Sequence, residues 1–504
     1  MPYDFLAFVG QAGSLVPQPI KSDAQAQTIT PAAEYLCVDM DGTLLEGDSL
    51  WESLLALLGT HPWYFFLLPI WLLRGRAALK HAIAERAGMN VRTLLLREDF
   101  VDFLRQEKEK GRKLILATAA DRGIAEAVAE RVAMFDAVLA SDGKTNLSGE
   151  NKRKAIQEFL GEQDFDYAGD SSSDIPIWVA ARAAILVGPT PKLLETVQRT
   201  VPVGTVFPRR QFRWASLRRA LRPKHWVKNL LVFVPPLLGH KLREVHVLTE
   251  ALLAFVTFSL CASGGYVLND LFDLEADRLH PTKRSRPWAS GQIPLWLGMM
   301  MAPLLVAAGW GIAASLSRLF FAEAVIYVAA TVLYSAYIKR VPIVDVLVLT
   351  GLYLVRILGG GAATGIVVSP WLLAFSMFLL LSLAFAKRYM ELVGQSSQNG
   401  QPNVVSKRNY IPADGDLVRQ FGIASGYISV LVLALYVNDS DVTILYRQPQ
   451  WIWLACPLLL FWISRVWFLS SRGVLHEDPV VFAVRDGVSY LLGLIILLIL
   501  YLAT

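Results

Sequence analysis

The stretch LTEALLAFVTFSLCASGGYVLNDLFDLEAD, residues 248–277, begins as an apolar run and ends in carboxylates. At about 1.5 Å of rise per residue, the part over 248–268 is long enough as a helix to cross about 30 Å of hydrocarbon. Working outward by the same criterion, about nine spans are expected in the C-terminal part of the chain. They fall near 227–239, 248–268, 292–314, 319–337, 342–363, 369–386, 419–437, 451–467 and 484–502, and Pro235 and Pro236 interrupt the first. The loops divide by charge. One set carries Arg278, Lys283, Arg284, Arg286, Lys339, Arg340, Lys387, Arg388, Lys407, Arg408, Arg465 and Arg472; the other carries Lys241, Arg243, Arg318 and Arg447. This positive-inside pattern puts the N-terminal domain and the carboxylates after 268 on the cytoplasmic side.

Composition agrees. The 504 residues are 54% hydrophobic and 18% charged, which excludes a disordered, solvating chain. A net charge of +5 is too small to argue for nucleic acid. Cys37, Cys261 and Cys456 have neither zinc nor redox spacing and read as packing residues. Residues 1–33 read as a flexible tail and lack the basic start and apolar core of a secretory signal. Residues 34–205 alternate short apolar strands (EYLCVDMD, KLILATA, DFDYAGD) with amphipathic helices, which implies a parallel α/β sheet. Residues 206–226 form a basic linker within RRQFRWASLRRALRPKHWVK (209–228). It suits lipid headgroups, and its membrane-proximal end could also meet substrate. The membrane domain takes 227–504.

In the α/β domain Asp39 and Asp41 follow the first strand, in DMDGTL. Open α/β sheets bind ligands at the carboxyl ends of their strands. One of two carboxylates spaced this way can attack phosphorus while the other trades a proton with the leaving oxygen. Thr118 and Lys152 supply a hydroxyl and an ammonium for a phosphoryl group, with Lys154 a rival to Lys152. Asp170 and Asp174, in GDSSSD, can hold Mg²⁺ through oxygen. The order DxDGT, Thr, Lys, GDSxxD resembles the haloacid dehalogenase (HAD) superfamily, its phosphatases in particular. The resemblance implies an α/β Rossmann-like domain with a helical cap. It makes Asp39 the nucleophile, Asp41 the general acid/base, Thr118 and Lys152 phosphoryl ligands, and Asp39, Asp170 and Asp174 the Mg²⁺ site. The insert WYFFLLPIWLL, residues 63–73, is too short to span a bilayer; it reads as a buried cap helix or as a surface that dips into the membrane.

In NDLFDLEADR, residues 269–278, a continuous helix would put Asp270, Asp273 and Asp277 on one face. Like charges so placed repel, and a divalent ion shared with a diphosphate removes the repulsion. The pattern Asn-Asp-x-x-Asp-x-x-x-Asp in a membrane setting resembles the UbiA superfamily of intramembrane transferases. It implies an all-helical domain of about nine spans with Mg²⁺ and diphosphate at the cytoplasmic face. RPKHWVKNLLVFVPPLLGHKL, YVLNDLFDLEADRLHPTKRSRPWASG, YSAYIKRVPIVDVLVLTGLYLVRILGG, AKRYMEL and EDPVVFAVRDGVS look like one branch, the polyprenyl-phosphate phosphoribosyltransferases of the decaprenyl-phosphate type. Where prenyltransferases usually carry a second acidic cluster, KRVPIVDVLVL keeps only Asp345, behind a basic pair.

The branch resemblance implies that Asp270, Asp273 and Asp277 hold Mg²⁺ on 5-phosphoribosyl 1-diphosphate, with Asn269 orienting it. Lys283, Arg284 and Arg286 are candidates for the sugar phosphate or diphosphate. Lys224, Lys228, Lys339, Arg340 and Arg356 are candidates for phosphates, the lipid's included. Arg356 lies inside an apolar helix on the face of Asp345, so a structural Arg–Asp bridge or a snorkelling arginine is the other reading. Asp345, Lys387 and Arg388 are further substrate-binding candidates, Lys387 and Arg388 forming a charged cluster with Glu391, and Asp478 and Asp486 suit helix caps or loop tethers.

Together these readings describe a multi-pass enzyme of a bacterial-type plasma membrane. It would move phosphoribose onto a polyprenyl phosphate of the bilayer, and the fused phosphatase would remove the 5-phosphate. A prenyltransferase of quinone or lipid biosynthesis with a silent HAD-like module is the alternative; a transporter is disfavoured because the charges gather on one face. Lipid chain length and oligomeric state, a homo-oligomer among the choices, are left open.

Overall fold

A computed structural model describes residues 33–210, 213–396, 409–439, 446–475 and 478–504. The expected tail, apart from Ala33, and the loop cations Lys407 and Arg408 lie outside the described residues.

Six apolar runs form one parallel sheet. They are β1 (Tyr35–Val38), β2 (Lys113–Asp121), β3 (Ala137–Ser141), β4 (Phe165–Gly169), β5 (Ala183–Val187) and β6 (Val203–Phe207), in the spatial order β3-β2-β1-β4-β5-β6. Near-continuous apolar sequence is what a sheet covered on both faces requires. Leu36, Val38, Leu114 and Leu116 pack on Phe100 and Leu104 of the helix Glu98–Glu109. Cys37, Ile115 and Tyr167 pack on the other side against Ile156, Ile177 and Trp178. The strand order reverses at β1, so the residues that follow β1 lie where an open α/β sheet leaves a crevice. Cys37, Cys261 and Cys456 are free thiols in packed surroundings.

Between β1 and β2 the chain inserts a helical cap, chiefly Ser49–Thr60 and Arg76–Ala87. The segment Pro62–Leu73 between them is not the buried helix that was one of its two readings. Trp63, Phe66 and Leu73 are 57%, 77% and 88% exposed, while Tyr64, Leu68 and Trp71 alone turn back onto the cap. The apolar residues run all round this short segment, and one flank is all the cap can cover.

Seven helices among the described residues are long and apolar enough to cross a membrane: Val245–Phe272, Leu295–Leu316, Arg318–Ala336, Val344–Thr364, Pro370–Gly394, Pro412–Val437 and Pro449–Ser471. The expectation was about nine. The final apolar helix, Gly487–Ala503, is shorter. The first expected span is a tight 3-10 stretch, Pro223–Phe233, followed by the brief helix Val234–Leu238, because two successive prolines remove donors that a long α-helix needs.

The α/β domain sits on the end of the bundle that carries the acidic motif. Arg278 donates to Glu52 of the cap through both terminal nitrogens, at 2.7 and 3.0 Å, and also to the Thr93 carbonyl at 3.1 Å. Glu275 accepts from the Asn90 amide at 3.1 Å. Leu55 of the cap joins a core with Val267, Leu271, Trp288 and Ile293 of the membrane domain. Glu52 and Arg278 are each 6% exposed, so removing one strands the other in a dry place. Arg278→Met is expected to weaken docking by about 3–5 kcal/mol. Faster proteolysis between the domains would report it, and Glu52→Leu combined with Arg278→Met should restore much of the loss.

Candidate functional site

Two constellations form, one in each domain. In the α/β domain Asp39 directly follows β1, and its Oδ1 accepts from the Met40 amide at 2.8 Å. The chain then turns sharply at Gly42, whose φ is +74°. A Cβ there would fall 2.2 Å from Asp170 Oδ2, so only glycine lets the turn pass the carboxylate. Lys152 Nζ lies 2.9 Å from Asp39 Oδ1 and 3.4 Å from Asp174 Oδ1, and donates to the Tyr167 hydroxyl at 2.9 Å. Asp174 is tied down further by the Tyr167 hydroxyl and by Ser171, through its amide and its hydroxyl. Asp41 is fixed by Ser49, whose amide and hydroxyl donate to it at 2.7 and 3.0 Å. Thr118 is buried near the end of β2 and lines the same cavity. Lys154 is not among the cavity-lining residues; Lys152 is.

Burial dominates the electrostatics. It pushes Asp39 up to about 6, with Lys152 pulling it back. It pushes Asp41 up to about 7, helped by the charge of Asp48, and Asp170 up to about 8, helped by Asp39 and Asp174. Oxygens of Asp39, Asp170 and Asp174 lie within 4.8 Å of one another. Three carboxylates against one ammonium leave a negative, all-oxygen pocket, the donor set of a hard divalent cation such as Mg²⁺. Sequence reasoning missed Lys80, which the cap helix brings into the cavity wall, where it donates to the Ala119 carbonyl at 2.8 Å. No motif marks it, because its place depends on how the cap folds back.

In the membrane domain the acidic helix does not run straight. It breaks at Asp273, which ends Val245–Phe272 and starts Leu274–Leu279 with φ −91° and ψ 9°. This corrects the single-face expectation. Asp270 and Asp277 converge on Arg286, which donates to them at 3.1 and 2.6 Å, while Asp273 faces Lys339 at 3.3 Å. Asp270 also accepts two bonds from Arg222, at 2.6 and 2.8 Å. Arg222 opens RPKHWVKN, the membrane-proximal end of the basic linker, and no motif singles it out from the neighbouring arginines. Asn269 is half-buried beside Asp270, whereas Lys224, Lys283, Arg284 and Arg340 are exposed.

The other cations take different places. Lys228 and Lys387 both donate to Asp478 Oδ2, at 2.7 and 3.0 Å. Burial alone would raise the Asp478 carboxyl, but the two ammonium groups hold it well below the usual carboxylate range. Asp478 also caps the helix Pro479–Ala483, and Asp486 caps Gly487–Ala503 while pairing with Arg465. Arg356 does not bridge to Asp345. It bonds Asn229, Tyr327 and the Leu352 carbonyl, and stacks over the Tyr327 ring. Asp345 instead takes Arg388 and the Tyr410 hydroxyl, and Arg388 also holds Glu391 and Tyr334. The Asp345–Arg388 pair is thus a strut between helices and not part of the acidic site, a change the sequence could not signal because the two residues are far apart along the chain.

Comparison with known proteins gives both constellations a family. Residues 237–483 match the UbiA prenyltransferase family, and residues 36–178 match haloacid dehalogenase-like hydrolases. The uncharacterized protein y4nM of Sinorhizobium fredii is 37% identical over 464 residues, 92% of this chain and 89% of that one. Nodulation protein NoeC of Azorhizobium caulinodans is 38% identical over 54% of this chain and 87% of its own. Decaprenyl-phosphate phosphoribosyltransferase of Mycobacterium tuberculosis is 35% identical over 56% of this chain and 91% of its own. The chain belongs to the UbiA prenyltransferase family and carries a haloacid dehalogenase-like hydrolase domain at its N-terminal end. It is a multi-pass membrane enzyme related to decaprenyl-phosphate phosphoribosyltransferase.

The crowding of Asp39, Asp170 and Asp174 sets up a metal test. Mg²⁺ at about 100 times its dissociation constant is expected to stabilise the hydrolase domain by about 2.7 kcal/mol. A saturable upward shift in thermal unfolding, lost in Asp170→Asn, would report it.

Proposed function

We propose that the membrane domain transfers 5-phosphoribose from phosphoribosyl diphosphate to a polyprenyl phosphate, and that the hydrolase domain then removes the 5-phosphate. The observation that carries this reading is the cationic dressing of the acidic motif. Arg222, Arg286 and Lys339 surround Asp270, Asp273 and Asp277. A donor that brings a sugar phosphate besides its diphosphate, and an acceptor that is itself a phosphate, call for cations as well as carboxylates. The relationship to a decaprenyl-phosphate phosphoribosyltransferase supports the same choice.

On this reading Asp270, Asp273 and Asp277 would hold Mg²⁺ through oxygen, and the ion would supply Lewis-acid help to a diphosphate leaving group. The arginines and Lys339 take up the phosphate charge. In the hydrolase domain a carboxylate oxygen of Asp39 attacks phosphorus as the ester P–O bond breaks, and Asp41 gives its proton to the departing sugar oxygen. Water then attacks the acyl-phosphate, returning a proton to Asp41 and releasing inorganic phosphate. Lys152 holds the phosphoryl oxygens and Thr118 lies beside them.

Asp270→Asn and Asp273→Asn are expected to stop entry of labelled phosphoribose into lipid while hydrolysis of a soluble phosphomonoester persists. Consumption of a prenyl diphosphate with an aromatic acceptor, and no labelled lipid, would select the prenyltransferase alternative. Asp39→Asn should leave the transfer running and make the lipid accumulate with its 5-phosphate, readable by mass spectrometry.

A pH profile checks Asp41. Its proton is present below about pH 7 and lost above it. The kcat/KM of hydrolysis should therefore fall as pH rises through about 7. Asp41→Asn should remove that limb and lower the rate by about 10²–10⁴-fold.

A further inference from the structure

The cavity that holds Asp39 has two walls, and the second comes from the other domain. One wall is Asp39, Asp41, Lys80, Thr118, Lys152 and Asp170. The other wall is Trp288, Gly291, Ile293, Pro294, Leu295 and Trp296, and the cavity, open on one side, has a volume of about 420 Å³. Leu295 and Trp296 open the membrane-spanning helix Leu295–Leu316, so this wall runs directly toward the bilayer. The fit between walls is close. Gly291 has φ +70°, and a Cβ there would come within 2.9 Å of Glu46 Oε2 and Leu95 Cδ1 of the hydrolase domain.

Trp288 adds a separate observation. It is 1% exposed and lines the cavity, yet its indole Nε1 has no hydrogen-bond partner. Buried donors are nearly always satisfied, so this indole is held by its packing in the wall and not by a bond of its own. Trp296, half exposed, offers an amphipathic ring at the end of a span, where such rings settle at the lipid interface. The same loop begins at the transferase site, where Arg286 holds Asp270 and Asp277.

We infer that residues Trp288–Trp296 of the transferase domain complete the hydrolase pocket and bind the organic part of a phosphomonoester carried on a membrane lipid. This rests on the phosphatase reading above. Trp288 gives the wall its rigid aromatic base beside Gly291. Ile293, Leu295 and Trp296 line the way by which its lipid chain stays in the bilayer. The hydrolase domain therefore prefers a lipid-borne phosphomonoester over a soluble one, and the preference resides in the other domain.

The test uses the full-length protein in mixed micelles. Asp39→Asn protein first makes labelled phosphoribosyl lipid from labelled phosphoribosyl diphosphate and polyprenyl phosphate. That lipid and ribose 5-phosphate are then given separately to wild-type, Trp288→Phe and Trp296→Ala proteins. The ratio of kcat/KM for the lipid over the soluble ester is expected to fall about tenfold in each variant, the size of one lost anchoring contact. Unchanged ratios in both, with wild type cleaving the lipid, would overturn the shared wall and leave the phosphatase reading standing. Failure of wild type to cleave the lipid at all would overturn both. Circular dichroism melting of Trp288→Phe, which keeps an aromatic side chain but loses the fused pyrrole ring and its volume, separates binding from folding: a lower ratio with an unchanged melt supports the wall, and a lower ratio that tracks a collapsed melt in both variants counts against it.

Discussion

Carboxylates withdrawn from water and crowded together must be given cations, and that constraint organises this protein from end to end. Lys152 sits among Asp39 and Asp174; Arg222, Arg286 and Lys339 dress Asp270, Asp273 and Asp277; Lys228 and Lys387 share Asp478; Arg388 holds Asp345; Arg278 holds Glu52. The clusters differ in how completely the charge is answered. Asp345 and Glu52 are matched by buried guanidinium groups and act as struts. Asp39, Asp170 and Asp174 have one ammonium for three carboxylates, and that shortfall makes their pocket a candidate for a cation and a phosphoryl group.

The acidic helix serves both domains because it is broken. Asp270 and Asp277 turn toward Arg286, while Glu275 and Arg278, from the same short stretch, bond the cap of the hydrolase domain. About two turns of backbone, broken at Asp273, thus carry the diphosphate candidates and the docking contacts together. This keeps the hydrolase cavity and the acidic motif at one end of the bundle without a long linker. A tether of this kind raises the local concentration of anything released from one pocket near the other.

The cap's exposed apolar edge fits the same arrangement. Trp63, Phe65, Phe66 and Leu73 are uncovered, next to a cap helix whose Gly59 lies against Phe272 at the end of a membrane span. An apolar edge beside the end of a span has a low-cost place to go, the headgroup and acyl boundary of a bilayer.

The sequence by itself determined the two classes of fold and the motifs that supply Asp39, Asp41, Thr118, Lys152 and Asp170 to the hydrolase cavity. Apolar run length and charge bias mark a membrane domain, and alternation of short strands with helices marks a parallel sheet, since both follow from local periodicity. DxDGT and GDSSSD follow β1 and β4, Thr118 lies in the second half of β2 and Lys152 in the first turn of the helix Glu150–Leu160, all toward the carboxyl ends of one sheet, so their order along the chain implies that they meet. What only the tertiary structure decided are the pairings between distant residues. Arg222 on Asp270, Arg388 on Asp345 and Lys228 on Asp478 depend on helix packing, and many equivalent basic residues compete for each carboxylate in the sequence. The break at Asp273, the double-proline segment at 234–238 in place of a span, and the placing of Lys80 and Trp288 at one cavity have the same origin. Each is settled by what packs against the residue rather than by the residues beside it in the chain.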